Sequence, residues 1–175
     1  MRQVVQTEAF VLKKNRLTGA DTIVTLFTKE QGKIISVAKG VKKITSRRAP
    51  HLQTGNLIRS TLASRHDTLY IQETTLISAF SSIKEDMKKM SILFIYYFVL
   101  ERLLPREQPE QESFHITLAL MKELARSESF TKTRLAFYLN ALLQSLGFLK
   151  ENKSYEELIM IVEELMNEKM PDLVI

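Results

Sequence analysis

The apolar residues of this chain change their period once, near residue 80, and that single change constrains the fold more than any other feature. Before it, short β-branched runs alternate with turn signals. Residues 4–14, 22–29 (TIVTLFTK), 33–39 (KIISVAK), 56–63 (NLIRSTLA) and 68–78 (TLYIQETTLIS) each read as a strand. Gln31-Gly32 is a turn close enough to the second and third runs to make a hairpin, and His66-Asp67 joins the last two. Five short strands in under 80 residues suit a small closed barrel, because closure removes exposed edges. The one long connection, residues 41–55 (VKKITSRRAPHLQTG), is read as a flexible basic loop of the length that is often functional.

From Phe80 onward the spacing is helical. Ser82-x-x-Glu85 reads as a capping box, and 92–104 is apolar on nearly all sides, as a buried central helix would be. Pro105 and Pro109 end it. A helix over 110–126 follows, with Phe114, Leu118, Met121 and Leu124 on one face. Another over 131–146 ends at Gly147, and Ser154-x-x-Glu157 opens a last one. Leu158, Ile161, Val162 and Leu165 share a face of that helix, opposite Glu156, Glu163, Glu164 and Glu168. The methionines at 87, 90, 121, 160, 166 and 170 read as core or helix-face filler. The expected fold is α+β. A five-stranded barrel domain (1–79) precedes an all-helical domain (80–175), with the boundary near 79–81.

Charge follows the same division. Residues 1–80 carry 13 Lys and Arg against 5 Asp and Glu, whereas residues 81–175 carry 12 against 15. The cations concentrate at Lys33, Lys39, Lys42, Lys43, Arg47, Arg48, Arg59 and Arg65, and no acidic residue falls between the first and last of these. Several cations facing one strip of phosphates is what nucleic-acid binding requires. Thr45, Ser46 and the amides near Gly40 could add hydrogen bonds to phosphate. No aromatic residue occurs between Phe27 and Tyr70, so base stacking can come only from Tyr70, arginine planes or distant residues. Binding is therefore expected to be backbone-driven, salt-dependent and indifferent to sequence, on single and double strands alike.

The residues offer no catalytic set. The chain has no Cys and only 3 His, which leaves no thiolate nucleophile and no Cys-based zinc site. Asp21, Asp67 and Glu73 are isolated carboxylates with no partner for an acid/base dyad. His51 lies within the basic loop, where it could touch phosphate. A phosphate-binding Gly-x-x-x-x-Gly-Lys-Ser/Thr loop is absent. A binding protein is expected, not an enzyme, with no metal and no cofactor. The longest apolar run, 92–100, is too short to span a bilayer, which needs about 20 residues. The first residues lack a signal-peptide core. A cytoplasmic protein is expected.

Several segments together resemble the RecO family of bacterial recombination mediators. They are Glu8-Ala9-Phe10-Val11-Leu12-Lys13, the run from Gly19 through Thr28, Gly32-Lys33-Ile34, Val37-Ala38-Lys39-Gly40 and Ser46-Arg47-Arg48. Weaker similarity continues at Glu101-Arg102-Leu103-Leu104-Pro105 and around Leu146-Gly147-Phe148. The resemblance implies an OB-fold followed by a helical domain. It also implies binding to single- and double-stranded DNA and annealing of complementary strands. The partners it implies are RecR and the acidic C-terminal tail of single-strand-binding protein. The implied role is to help load the recombinase on coated DNA in repair, in the cytoplasm at the nucleoid. Many members carry a four-Cys zinc site after the Leu-Gly-Phe segment; here Lys150-Glu151-Asn152-Lys153 stands in its place, and no zinc is expected.

An acidic, Phe-ended tail needs an apolar pocket with a cationic rim. Lys132, Arg134, Phe137 and Tyr138 are the candidate set. The competing reading is a protein-interaction adaptor whose basic barrel takes an acidic protein tail, with DNA binding only incidental. Salt separates the two, since counterion release makes DNA affinity fall steeply with salt concentration.

Overall fold

The computed structural model describes residues 4–17 and 19–173. The chain divides into two compact units. One holds everything up to Ala79 together with Pro105–Pro109, and the other holds Phe80–Leu104 and the residues from Glu110 onward.

The first unit is a closed barrel of five strands: β1 (Val4–Arg16), β2 (Thr22–Thr28), β3 (Gly32–Ala38), β4 (Leu57–Arg65) and β5 (Thr68–Ser78). The order around it is β1-β2-β3-β5-β4, which is the OB-fold architecture. β1 is long enough to pair antiparallel with both β2 and β4, and its register on β2 shifts between Val11 and Lys13. Such a shift bends a strand, as closure of a small barrel requires. β4 and β5 form a hairpin through His66 and Asp67, both at positive φ (47° and 59°), the pair of left-handed residues that a tight two-residue turn demands. The barrel closes through a parallel β3–β5 pairing of only two residue pairs, Ser36 with Leu69 and Val37 with Tyr70. Alternate residues of the strands fill the interior, among them Val11, Leu26, Ile34, Ile58, Leu62 and Ile71.

The connection between β3 and β4 departs from the expected flexible loop. It folds as a series of turns, and it contributes Val41 and Leu52 to the barrel core, with Leu52 fully buried. Asn56 secures the turns by donating to the carbonyls of Pro50 (3.0 Å) and His51 (2.8 Å). Burial of Leu52 in the barrel core offsets the entropy of ordering a long segment.

Pro105–Pro109 does more than end a helix: it packs on the barrel. The Glu107 amide donates to the Lys33 carbonyl at 2.9 Å, and Arg106 bridges to Lys33 in parallel. Gly32 makes this approach possible. It has φ +71°, and a Cβ built there would lie 1.8 Å from the Gln108 carbonyl oxygen.

In the second unit the described helices are α1 (Ser81–Lys84), α2 (Met87–Leu103), α3 (Gln111–Arg126), α4 (Lys132–Ser145) and α5 (Tyr155–Met166). The capping box expected at Ser82 does not form. Phe80 occupies the cap position of the short α1 in a left-handed conformation, and the Ser82 hydroxyl donates to the Ala125 carbonyl instead. The cap of the long helix is Asp86, whose carboxylate accepts from the amides of Lys88 and Lys89. The box at Ser154 and Glu157 is formed. α2 is buried through Ile92, Leu93, Ile95, Tyr96, Tyr97, Val99 and Leu100, and the Tyr96 hydroxyl lies 3.2 Å from the Thr117 hydroxyl. Gly147 follows α4 at φ +79°, and the next amide, of Phe148, returns to the Leu143 carbonyl at 2.8 Å. The methionines divide: Met121 is buried, but Met87 and Met160 are 85% and 71% exposed and so are not filler. On α5, Leu158 and Val162 are buried while Leu165 is exposed.

Candidate nucleic-acid interface

The eight sequence-selected cations of the barrel do not form one uniform strip. Lys33 is only 8% exposed. Arg59 is exposed, but it pairs with Glu8, its register partner across β1 and β4, at 3.1 Å. Neither belongs with the others.

Lys42 and Arg48 are exposed and half-buried respectively, and both are tied to backbone. The Lys42 ammonium donates to the carbonyls of Leu17 (2.5 Å) and Gly19 (3.0 Å), which fastens the β3–β4 connection to the β1–β2 turn. The Gly40 amide donates to Asp21 at 2.8 Å in the same corner, so it is already committed and Asp21 has a structural role. The Arg48 guanidinium donates to the carbonyls of Ile71 (2.6 Å) and Lys39 (2.5 Å). These acceptors are neutral. Among the described residues no carboxylate forms an ion pair with either, and both side chains are held in place, which preorganises them toward an anion.

Lys39, Lys43, Arg47 and Arg65 are exposed. Lys39 follows β3, Arg65 ends β4, and Arg48 reaches in from the connection. With Tyr70 and Gln72 of β5, the residues Lys39, Arg48 and Arg65 line a recess of about 270 Å³. The Lys39 ammonium lies 4.8 Å from the centre of the Tyr70 ring, a cation–π contact. His51 does not line the recess; its Nδ1 lies 2.9 Å from the Thr74 hydroxyl. Sequence spacing did not bring out Tyr70 and Gln72 as neighbours of Lys39, because the contact depends on the parallel β3–β5 pairing. Ile44, at the crest of the connection beside Lys43, is fully exposed, a large apolar side chain that charge counting passed over.

The tail-binding set of the helical unit also divides. Lys132 and Phe137 line a cleft of about 600 Å³ between α4 and α5, together with Tyr155, Lys153 and Asn152. Phe137 is 55% exposed there, and the Lys132 ammonium lies 5.7 Å from the Tyr155 ring centre. Arg134 and Tyr138 belong to a cluster around Glu123. Arg134 makes a two-pronged ion pair with Glu123, one contact at 2.6 Å, and stacks 4.5 Å over Phe137. The buried Tyr138 hydroxyl donates to the same carboxylate at 2.6 Å. The Arg134 hydrogen bond holds the Glu123 carboxyl below the usual carboxylate range. Burial first, and then the bond to Glu123, pushes Tyr138 up to about 12.

Among the described residues no three His, Cys, Asp or Glu side chains gather as a metal site, and no helix is long and apolar enough to cross a membrane.

Comparison with known proteins places this barrel. Residues 1–80 match the family model described as Recombination protein O N terminal. The chain is 27% identical over 162 residues to the DNA repair protein RecO of Caldanaerobacter subterraneus subsp. tengcongensis, covering 86% of this chain and 66% of that one. It is 28% identical over 143 residues to the DNA repair protein RecO of Geobacter metallireducens, covering 82% and 58%. The match to the RecO of Thermoanaerobacter sp. spans 85% of this chain and 60% of that one, at 26% identity. The chain thus spans roughly three-fifths of the length of these curated relatives. The OB-fold barrel is thus similar to the N-terminal part of RecO proteins, and the similarity to these relatives runs on through the helices over most of the chain.

Proposed function

We propose that this protein acts in DNA repair and recombination as a non-catalytic mediator. It binds single- and double-stranded DNA without sequence preference, anneals complementary strands, and helps load the recombinase on DNA coated by single-strand-binding protein. The barrel (1–79) carries the DNA and the helical part (80–175) holds partners, among them RecR and the acidic tail of single-strand-binding protein. It works in the cytoplasm, at the nucleoid. The observation that carries this reading is the group Lys39, Lys43, Arg47, Arg48 and Arg65 on an OB-fold barrel, with Arg48 fixed by neutral carbonyls. Lys42 adds charge from its own anchored position. Lys33 and Arg59 stand outside the interface, one buried and the other ion-paired.

Annealing is then electrostatic. Cations neutralise phosphates on two strands and lower the repulsion that keeps them apart. For the tail, the cleft of Phe137, Tyr155, Lys132 and Lys153 supplies an apolar floor with cations on its rim.

The test is annealing of complementary oligonucleotides over a salt series, with wild type and a variant carrying Lys39→Glu, Lys43→Glu, Arg47→Glu and Arg65→Glu. Lys42 and Arg48 are left intact because they also hold the fold. Fast annealing, suppressed by salt and by the charge reversal, is the expected result. For every phosphate that the variant no longer neutralises, the single-strand salt slope should also flatten by about 0.7. A folded variant that still binds and anneals like wild type would overturn the assignment. Feeble DNA affinity in wild type would favour an adaptor for acidic protein tails.

A further inference from the structure

The geometry points to the recess of Lys39, Arg48, Arg65 and Tyr70 as a phosphomonoester site, built to hold the phosphorylated end of a DNA strand. This rests on the DNA-binding reading and refines it from a general basic face to one defined subsite.

Three observations separate the recess from a passing phosphate track. First, separate parts of the chain converge on it: the β3–β4 connection at both Lys39, just past β3, and Arg48, the end of β4 at Arg65, and β5 at Tyr70 and Gln72. A recess walled on several sides admits a chain end more readily than a continuous strand. Second, its volume of about 270 Å³ lies just under the range of small-ligand pockets, about 300–1,000 Å³. It has room for a phosphate and the sugar attached to it, whereas a strand lying along an OB face occupies about 4–16 nucleotides.

Third, the charge is concentrated and held. Lys39, Arg48 and Arg65 supply three cations, and no carboxylate lines the recess. Arg48 spends N–H donors on the Ile71 and Lys39 carbonyls and keeps others of its five. Lys39 is steadied over the Tyr70 ring. A phosphomonoester carries about −1.5 to −2 charge near neutral pH and three terminal oxygens, against a single charge for an internal phosphodiester. Three cations around one small volume favour the more highly charged group.

The experiment compares the affinity of the intact protein for one single-stranded oligonucleotide with a 5′-phosphate, a 3′-phosphate or hydroxyls at both ends. The measurement is repeated with Lys39→Gln and Arg65→Gln, and with inorganic phosphate as competitor. Thermal melts establish that each variant is folded; Arg48 is left alone because it clips two strands. The expected result is roughly tenfold tighter binding of one phosphorylated end, about the effect of one added charge-assisted hydrogen bond. Either substitution should bring the ratio of phosphorylated to hydroxyl-ended affinity to about one. Inorganic phosphate should erase the ratio at concentrations that leave hydroxyl-ended binding measurable. Equal binding of all three strands by wild type overturns the inference and leaves the DNA reading standing. Inorganic phosphate that binds and stabilises the protein, with no end preference on DNA, overturns the strand-end assignment in favour of free phosphate. A folded protein that binds none of the strands overturns the DNA reading and this inference with it.

Discussion

The Arg48 guanidinium donates to the Ile71 backbone carbonyl at 2.6 Å, and through its other amino nitrogen to the Lys39 carbonyl at 2.5 Å. Ile71 lies one residue beyond Tyr70 on β5, and Lys39 lies just past the end of β3, two residues beyond Val37; Val37 with Tyr70 is the last backbone pair between those strands. The side chain therefore continues, as a clip, a ladder that the backbone abandons after two pairs. The same group stands among the cations proposed to meet DNA, so its removal has two consequences that need separating.

Arg48→Ala should destabilise the protein by about 1.5–3 kcal/mol, the usual worth of hydrogen bonds from a charged donor. Arg47→Ala, one residue earlier and exposed, should stay within about 0.5 kcal/mol of wild type. Urea unfolding of the pair measures both. Equal midpoints would show that the clip carries no weight in closing the barrel.

The β3–β4 connection should behave as part of the core and not as a tether. Leu52→Ala removes a fully buried side chain and should cost about 2–5 kcal/mol. Ile44→Ser, at the exposed crest, should change stability by less than about 0.5 kcal/mol. Thermal unfolding of the two variants decides this, and a loss at Leu52 no greater than at Ile44 would mean the connection is loose.

Gly32→Ala should be among the most damaging small substitutions. The new methyl would meet the Gln108 carbonyl at 1.8 Å in backbone conformation at φ +71°. Gly19→Ala shares the positive φ of 75° but meets open space, so it should show only the backbone strain, about 1 kcal/mol. Comparing melting temperatures isolates the steric part. Limited proteolysis should show residues 105–109 of the Gly32 variant cut sooner than in wild type.

Titration of the Glu123 cluster should be visible at both ends of the pH scale. The Glu123 carboxyl titrates below its ordinary value of 4.5 in the folded protein, so its stabilisation is full above 4.5 and is lost as pH falls through the lower folded value. Tyr138 is raised from 10.0 to about 12, so its contribution is full below 10 and is lost as pH rises toward 12. Stability of Glu123→Gln should fall less steeply than wild type in acid, and that of Tyr138→Phe less steeply in alkali. Wild-type and variant curves that run parallel over both windows would remove the cluster from the account. Tyr96 and Tyr97 are also raised by burial, so tyrosinate absorbance should lag that of a free tyrosine until the helices unfold.

Local chemistry made much of this protein legible. The short β-branched runs became β1 to β5, the Ser154–Glu157 box forms, and Gly147 follows α4 where its left-handed backbone is needed. These features depend on neighbours within a few residues, where side-chain alternation and capping act. The excess of positive charge in the first half is likewise a property of composition. What only the tertiary structure decided is which of the cations can act together. Lys33 and Arg48 have the same sign and the same sequence signal, yet one is buried on β3 and the other clips β3 to β5. Ser82 reads as a cap but bonds to Ala125, because Asp86 caps the long helix and Phe80 turns the chain first. Pro105–Pro109 returns to the barrel because Gly32 leaves room for it. Each of these outcomes depends on residues far apart in the chain meeting in space. Barrel closure brings Arg48 to Lys39 and Ile71, helix packing brings Ser82 to Ala125, and no local pattern of residues encodes either.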